Sequence, residues 1–159
     1  MSYLEKQVDA LMRLCVAEEA TDKDRLREEL KRMLQLRKYG GMDPEQEIRN
    51  ILLELGAPDH LVGHPYVIRA ILLVVGDQLY INHITFGLYP QLAVEFETTP
   101  ARVERAIRNL IEVTWTRGDL DVLDRYFGNT ISASRGKPTN GEFIARIANV
   151  VKQRMREAA

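Results

Sequence analysis

The sequence predicts an all-α protein: a compact multi-helix domain that contains a helix-turn-helix and is preceded by a helical hairpin. Apolar residues recur at three- and four-residue steps along most of the chain, which is the spacing of one helix face. Proline, glycine and short polar residues stand where such segments begin and end. No run alternates convincingly with a period of two, so no strand is predicted. We divide the chain into a hairpin, residues 1–41, and an effector domain, residues 42–159.

The hairpin is predicted from two narrow apolar stripes. The first runs through residues 4–15, and the second belongs to a helix that begins at Thr21, with Asp24 as a weak capping partner, and extends to about Tyr39. This second stripe consists of Leu26, Leu30, Met33 and Leu34. The other faces are densely charged, so the hairpin alone would bury too little apolar surface to be stable. We expect it to act as a dimerisation or docking element, ending at Gly40 and Gly41.

Two core helices are predicted next. Asp43 and Pro44 fit a cap and a first helical position, and Gly56 ends this helix. Its apolar face is expected to carry Ile48, Ile51, Leu52 and Leu55. Pro65 is expected to begin the second helix, which is apolar almost all round and therefore central to the core. Asn82 is then expected to cap a short helix through residue 88.

A helix-turn-helix is predicted over residues 89–118. Pro90 opens its first helix, and the turn lies around residues 97–99. Thr99 is a suitable N-cap for the second helix, Pro100 fits its first position, and Gly118 is expected to supply a left-handed stop. The buried stripe of this second helix is expected to carry Val103, Ala106, Ile107, Leu110, Val113 and Thr114.

The exposed first turns of this second helix carry Arg102, Glu104 and Arg105. Arginine suits guanine edges in the major groove, and glutamate accepts a hydrogen bond from cytosine. An amphipathic helix with solvated arginines is commoner than a DNA reader, and the spacing alone would favour that alternative. The preceding short helix and tight turn favour a recognition helix instead.

The C-terminal part is predicted to hold two further helices. The first is short and acidic, over residues 120–127, and a polar, partly basic loop follows it over residues 132–138. Thr139 and Glu142 form a capping box for the last helix, which ends in a basic tail. The inward face of the last helix is expected to carry Phe143, Ile144, Ile147, Ala148 and Val151.

Composition limits the possible functions. The chain has 159 residues with 22 basic and 23 acidic side chains, a formal charge of −1, so it has no cationic field to attract nucleic acid from a distance. Cys15 is the single cysteine, which excludes an internal disulfide and a multi-cysteine zinc site. The longest apolar run, residues 70–75, is too short to span a membrane, and no signal peptide is visible. We expect a cytoplasmic protein with no membrane partner.

Three further patterns are possible functional sites, but from them we predict no metal site, no cofactor and no enzyme activity. His60 and His64 have a ligand-like spacing, but Gly63 and Pro65 interrupt a helix there, which favours a loop or cap role. His83 and Asp77 lack any neighbouring nucleophile or phosphate-binding loop, so no catalytic site is predicted. Trp115 is expected to anchor the core.

Four runs in the chain resemble the C-terminal effector domain of the master response regulator of endospore formation in Firmicutes. They are L-Y-P at 88–90, R-V-E-R-A-I-R at 102–108, I-E-V-T-W-T-R-G at 111–118 and K-P-T-N-G-E-F-I-A at 137–145. The resemblance implies an all-helical module that activates transcription, binds repeated DNA boxes as tandem dimers and touches a sigma factor of RNA polymerase. The polymerase-facing helix would correspond to residues 120–130, which carry Asp121, Asp124 and Arg125.

The resemblance also implies the DNA-contacting residues. Arg102, Glu104 and Arg105 match base-contacting positions, Arg108 and Arg117 lie near phosphates, and Ala101 replaces a hydroxyl residue. The complete predicted site is Thr99, Ala101, Arg102, Glu104, Arg105, Arg108, Arg117, Lys137 and Arg156.

Two functions follow from these patterns. The favoured one is sequence-specific binding of double-stranded DNA for transcriptional regulation, by a homodimer. Residues 1–41 cannot hold the phosphoacceptor receiver domain of the family's parent protein, so we expect regulation independent of a phosphorylated receiver. The alternative is a protein-interaction module that pairs with a full-length regulator and does not itself bind DNA.

Overall fold

The computed structural model describes residues 20–38, 40–128 and 136–158, and every regular element in those ranges is a helix. We number the α-helices in chain order. They are α1 (Ala20–Lys38), α2 (Pro44–Glu54), α3 (Gly63–Gly76), α4 (Leu79–Asn82), α5 (Tyr89–Glu95), α6 (Pro100–Arg117), α7 (Leu120–Phe127) and α8 (Asn140–Ala158), with a π-helical turn at Ile84–Leu88 before α5. The predicted all-α class is confirmed. Pro44–Gln153 forms one compact unit, and a second includes the described residues before Pro44 and after Gln153.

The unit outside Pro44–Gln153 contains α1, the second helix of the predicted hairpin. Its apolar stripe is only partly covered: Leu26 and Met33 are partly buried, whereas Leu30 is 46% exposed and Leu34 is 66% exposed. Its polar surface is linked by ion pairs within one turn, such as Lys31 with Glu28 at 2.8 Å. The first predicted hairpin helix and Cys15 lie outside the described residues.

The other unit is built around α2 and α3. The predicted core face of α2 is confirmed: Ile48, Ile51, Leu52 and Leu55 are each 0% exposed. Gly56 ends α2 with a φ of +74°, where a side chain would be strained. Helix α3 is also central as predicted, with Val67, Ala70, Ile71 and Val74 each 0% exposed.

The predicted start of α3 at Pro65 is wrong by two residues. The helix begins at Gly63 and includes His64 and Pro65 in its first turn. A proline is tolerated there because the first N–H groups of a helix have no partner within it. His64 is therefore a buried helical residue, 9% exposed, rather than a loop residue. Among the described residues, no group of three His, Cys, Asp or Glu side chains could hold a metal ion.

The segment before α5 differs from its prediction. Asn82 was expected to cap a helix, but it is the last residue of α4. His83 ends the helical backbone conformation, with φ −132° and ψ 49°. Its carbonyl oxygen accepts hydrogen bonds from the N–H groups of Gly87 at 2.8 Å and Leu88 at 3.0 Å. The second of these bonds spans five residues, which defines a π-turn. This turn leads directly into α5.

Helix α8 begins with the predicted capping box. The Thr139 N–H donates to Glu142 Oε2 at 3.1 Å, and the Glu142 N–H donates to Thr139 Oγ1 at 3.2 Å. Phe143, Ile144, Ile147, Ala148 and Val151 are all 0% exposed, as predicted. The predicted anchor Trp115 lies edge-on to Phe127, with ring centroids 5.1 Å apart, and is partly buried. None of the helices in the described part of the chain has the length and apolar character needed to cross a bilayer.

Candidate nucleic-acid interface

Helices α5 and α6 are joined by a tight turn at residues 96–99. The Thr98 N–H donates to the Ala93 carbonyl at 2.9 Å, and the Glu97 N–H donates to the Val94 carbonyl at 3.4 Å. This pair of bonds is a Schellman motif, which normally places glycine at its left-handed position. Here Glu97 occupies that position with a φ of +52°. The turn is therefore as short as the common form, although it lacks the expected glycine.

The start of α6 matches its sequence signals. Thr99 has extended backbone, and its Oγ1 accepts from the Arg102 N–H at 3.3 Å, while Pro100 is the first helical residue. The predicted left-handed stop at Gly118 is wrong, because its φ is −70° and its ψ is 160°. Glycine is needed there for space: a β-carbon would lie 2.6 Å from the Thr114 carbonyl oxygen and 2.7 Å from that of Leu55.

The inner side of α6 packs against α3 and α5. Val103, Ile107, Leu110 and Thr114 are 0% exposed, and Ile111, which the predicted stripe omitted, is 2% exposed. The predicted stripe residues Ala106 and Val113 are only partly buried. The start of α3 also approaches α6 closely, because a β-carbon on Gly63 would lie 2.2 Å from the Ala106 carbonyl oxygen. The backbones of α3 and α6 are therefore adjacent at this point.

The outer side of α6 presents the predicted base-contacting arginines. Ala101, Arg102 and Arg105 are all exposed in the first two turns. Among residues 20–38, 40–128 and 136–158, no carboxylate forms an ion pair with Arg102 or Arg105. Their side chains are therefore open to solvent on a helix whose inner side packs against the core.

Glu104 and Arg108 are paired with each other on α6. The Arg108 guanidinium donates to the Glu104 carboxylate one turn earlier, and the side chains are 59% and 31% exposed, respectively. The sequence suggested separate roles, with Glu104 at a base and Arg108 at a phosphate. In the free protein these two charges neutralise each other, so DNA would have to compete for both.

The remaining predicted contacts are dispersed. Lys137 pairs with Glu112 on α6, with 3.0 Å between Nζ and Oε1. Arg117 is exposed in the last turn of α6. Arg156 is exposed in the last turn of α8, in the other compact unit. Eight of the nine predicted residues lie along α6 or directly beside it: Thr99, Ala101, Arg102, Glu104, Arg105, Arg108, Arg117 and Lys137.

Asn140 is a residue of this region that sequence reasoning missed. Its Nδ2 donates to Tyr89 Oη in α5 and to the Glu104 carbonyl in α6, both at 3.0 Å. A cavity of about 570 Å³ lies beside it, with Arg108, Glu112 and Lys137 in its lining. Burial raises the pKa of the Tyr89 phenol, while the Asn140 hydrogen bond and the charge of Arg108 act in the opposite direction. The only sequence signal was its place directly after the Thr139 cap.

Helix α5 is also held to α3 by a polar link. Arg69 Nε and Nη2 donate to Glu95 Oε2 and Oε1 at 2.7 and 3.0 Å, and Gln91 Nε2 also donates to Glu95 Oε1, at 2.9 Å. The hydrogen bond from Arg69 lowers the pKa of the Glu95 carboxyl. A bidentate pair of this kind fixes direction as well as distance. The first helix of the motif is thus tied to the core independently of its apolar face.

Helices α5 and α6 are joined by a short turn, the inner stripe of α6 is buried, and arginines are exposed at its start. These features define a helix-turn-helix DNA-binding regulatory domain. The family model described as Sporulation initiation factor Spo0A C terminal matches residues 48–151, more than half of the chain. The chain belongs to this family, whose domain binds DNA and regulates transcription in sporulation. The resemblance predicted from the sequence is confirmed. The family is one of DNA-binding regulatory domains and not of enzymes.

Proposed function

We propose that the chain binds double-stranded DNA sequence-specifically, with α6 in the major groove. The observation that carries this proposal is the exposure of Arg102 and Arg105 on a helix whose inner side buries Val103, Ile107 and Leu110 completely. A guanidinium group without a carboxylate partner can donate two hydrogen bonds to the O6 and N7 atoms of guanine. Family membership supports the same function.

The other predicted residues take supporting roles in this proposal. Thr99 and Ala101 lie at the N-terminus of α6, where backbone N–H groups and the helix dipole favour a phosphate. Arg117 is proposed to contact the DNA backbone directly. Arg108 and Lys137 do so after exchanging their carboxylate partners for phosphates. Arg156 is proposed as a further backbone contact from the last helix.

Substitution of the two arginines tests the proposal. A duplex is first selected from a random-sequence pool with the purified chain, and a shuffled duplex of equal length serves as the reference. Arg102→Ala and Arg105→Ala are each expected to weaken binding to the selected duplex by about 1–3 kcal/mol, roughly five- to 150-fold. Arg125→Ala removes an exposed arginine from α7 and is the matched control. Unchanged affinity for both α6 variants would contradict the proposal.

We further propose that the chain is a homodimer and that DNA binding needs no phosphorylated receiver domain. The exposed Leu30 and Leu34 of α1 support the first statement, because a second copy would cover them. Leu30→Lys with Leu34→Lys is expected to convert a dimer to a monomer in light scattering, whereas Lys31→Gln is not. Treatment with acetyl phosphate is expected to leave DNA affinity unchanged, and an increase would contradict the second statement.

Contact with a sigma factor is proposed for the outer face of α7. Leu120 is 74% exposed there, and Asp121, Asp124 and Arg125 surround it with charge. In reconstituted transcription, Leu120→Ala and Asp124→Ala are expected to lower activation while DNA binding stays at the wild-type level. Full activation by both variants would exclude this face.

A second candidate function is a protein-interaction module that pairs with a full-length regulator without binding DNA. The pairing of Glu104 with Arg108 and the net charge of −1 favour it, because both reduce attraction to phosphates. Salt titration separates the two functions. DNA binding through phosphates weakens steeply with added salt, whereas a protein adaptor gives no DNA complex at any salt concentration.

A further inference from the structure

Asn140 occupies a junction between the helix-turn-helix and the last helix. Its amide NH₂ group has two hydrogens, and each has a defined acceptor: Tyr89 Oη at the start of α5 and the Glu104 carbonyl in α6. One side chain therefore contacts both helices of the DNA-binding motif. The two bonds are equal in length, 3.0 Å, and both lie in partly buried surroundings.

The position of Asn140 is itself tightly fixed. It follows Thr139 within the reciprocal capping box that starts α8. At Gly141, a β-carbon would lie 2.7 Å from Ile84 Cδ1, so the start of α8 approaches the π-turn before α5 closely. Phe143, two residues further on, is 0% exposed. The backbone that carries the Asn140 amide is thus constrained by a capping box and by close packing.

The two acceptors of the Asn140 amide lie at positions where a small movement would change the orientation of α6. Tyr89 is 6% exposed and begins the helix that leads into the turn. The Glu104 carbonyl is in the second turn of α6, between Arg102 and Arg105 in sequence. A hydrogen bond to this carbonyl therefore constrains both the rotation of α6 about its axis and its position along that axis, next to the exposed arginines.

We propose that Asn140 is a positioning residue for DNA recognition, because it ties Tyr89 and Glu104 to the start of α8 and thereby sets the orientation of α6. This inference rests on the proposed function of α6. Bidentate contacts to guanine require donor–acceptor distances near 3 Å, so a small rotation of α6 weakens them. Attraction between arginines and phosphates depends much less on direction. Loss of Asn140 is therefore a loss of sequence discrimination rather than of general affinity.

The experiment measures discrimination with two Asn140 variants. Asn140→Ala removes both hydrogen bonds. Asn140→Asp retains the shape but has no N–H donor for the Glu104 carbonyl, and a carboxylate in the first turn of a helix is favourable; circular dichroism checks that the variant is folded. The ratio of dissociation constants for the shuffled and selected duplexes is expected to fall about tenfold in each variant. For Asn140→Ala the affinity for the shuffled duplex is expected to stay within about twofold of wild type.

Two controls exclude simpler explanations. The added charge of Asn140→Asp would weaken binding to both duplexes equally, so it cannot change the ratio. Tyr89→Phe removes one of the two bonds and keeps the other, and its ratio is expected to fall by a smaller factor than that of Asn140→Ala. Ultraviolet titration, with Tyr89→Phe as the blank, is expected to show Tyr89 ionising at higher pH in Asn140→Ala, because the hydrogen bond from Asn140 lowers the pKa of Tyr89.

The outcomes distinguish the positioning role of Asn140 from the proposed function of α6 on which it rests. If wild type prefers the selected duplex and Arg102→Ala does not, while both Asn140 variants keep the wild-type ratio, the positioning role is refuted and the proposed function stands. If wild type itself shows no preference, both fail. A reduced ratio in both folded Asn140 variants, with the shift in Tyr89 ionisation, supports the inference.

Discussion

Substitution of Gly63 tests most directly how α6 is held against α3. It is the first residue of α3, and a β-carbon there would lie 2.2 Å from the Ala106 carbonyl oxygen and 2.7 Å from the carbonyl carbon. Both atoms belong to the backbone of α6. No side-chain rotation can relieve the overlap, so Gly63→Ala must move the two helices apart.

The cost follows from the size of the overlap. An ordinary carbon–oxygen contact is longer by roughly 1 Å, and overpacking a well-filled core costs about 1–3 kcal/mol, occasionally more. Alanine would regain up to about 1 kcal/mol over glycine in a helix. Because the obstacle is backbone, we expect a net loss of about 2–3 kcal/mol from the free energy of unfolding. This corresponds to a fall in Tm of roughly 5–10 °C for a chain of this size.

Gly76→Ala is the matched control, because it lies at the other end of α3 and a β-carbon there meets nothing within 4 Å. Urea unfolding followed by circular dichroism should show Gly63→Ala less stable and Gly76→Ala at least as stable as wild type. DNA discrimination should fall in Gly63→Ala even at temperatures where it is fully folded. Equal stability of the two variants would show that α6 is not held against α3 as described.

Three further predictions concern the turn, the buried histidine and the capping box. Glu97→Gly should stabilise the domain by about 1 kcal/mol, since it relieves a left-handed residue, and should leave DNA affinity unchanged; Glu97→Ala keeps the β-carbon and should show no gain by urea unfolding. Burial, aided by the charge of Arg49, lowers the pKa of His64, so its stabilising contribution is complete above about pH 6.5 and declines as the pH falls below that value. In urea midpoints between pH 7.5 and 5.5, His64→Gln should lose this pH dependence; a wild-type slope in the variant would assign it elsewhere. Thr139→Ala should cost about 1 kcal/mol in the same assay, because the Glu142 N–H loses its acceptor.

Local signals in the sequence predicted most of the fold correctly. Helix starts at Pro44 and Pro100 and the capping box at Thr139 depend on neighbouring residues alone, and the structure confirms all three. Burial of the stripe in α2 follows from helical periodicity, which is equally local. These features need no knowledge of what packs against them.

The errors occur where distant residues decide the geometry. Gly118 follows the last residue of α6 as predicted, but its backbone is not left-handed, and the Leu55 carbonyl beside it explains the glycine. Asn82 looked like a cap, but the π-turn after His83 replaces the expected helix. Arg108 has a glutamate one turn away on each side, Glu104 and Glu112. It pairs with Glu104, whereas Glu112 pairs with the distant Lys137, which the spacing within α6 does not reveal. Asn140 could not be found from the sequence because both its acceptors are 36 or more residues away.

In the proposed function, sequence specificity comes from geometry rather than from charge. The formal charge is −1, and the cations Arg108 and Lys137 beside α6 are already paired with carboxylates, so long-range attraction to DNA is weak. In the proposed function Arg102 and Arg105, which form no ion pair with a carboxylate in the described part of the chain, carry the discrimination, and they act only within hydrogen-bonding distance. A helix used in this way must be held rigidly. The close approach of Gly63 to α6, the Arg69–Glu95 pair and the two bonds from Asn140 constrain the motif from three directions.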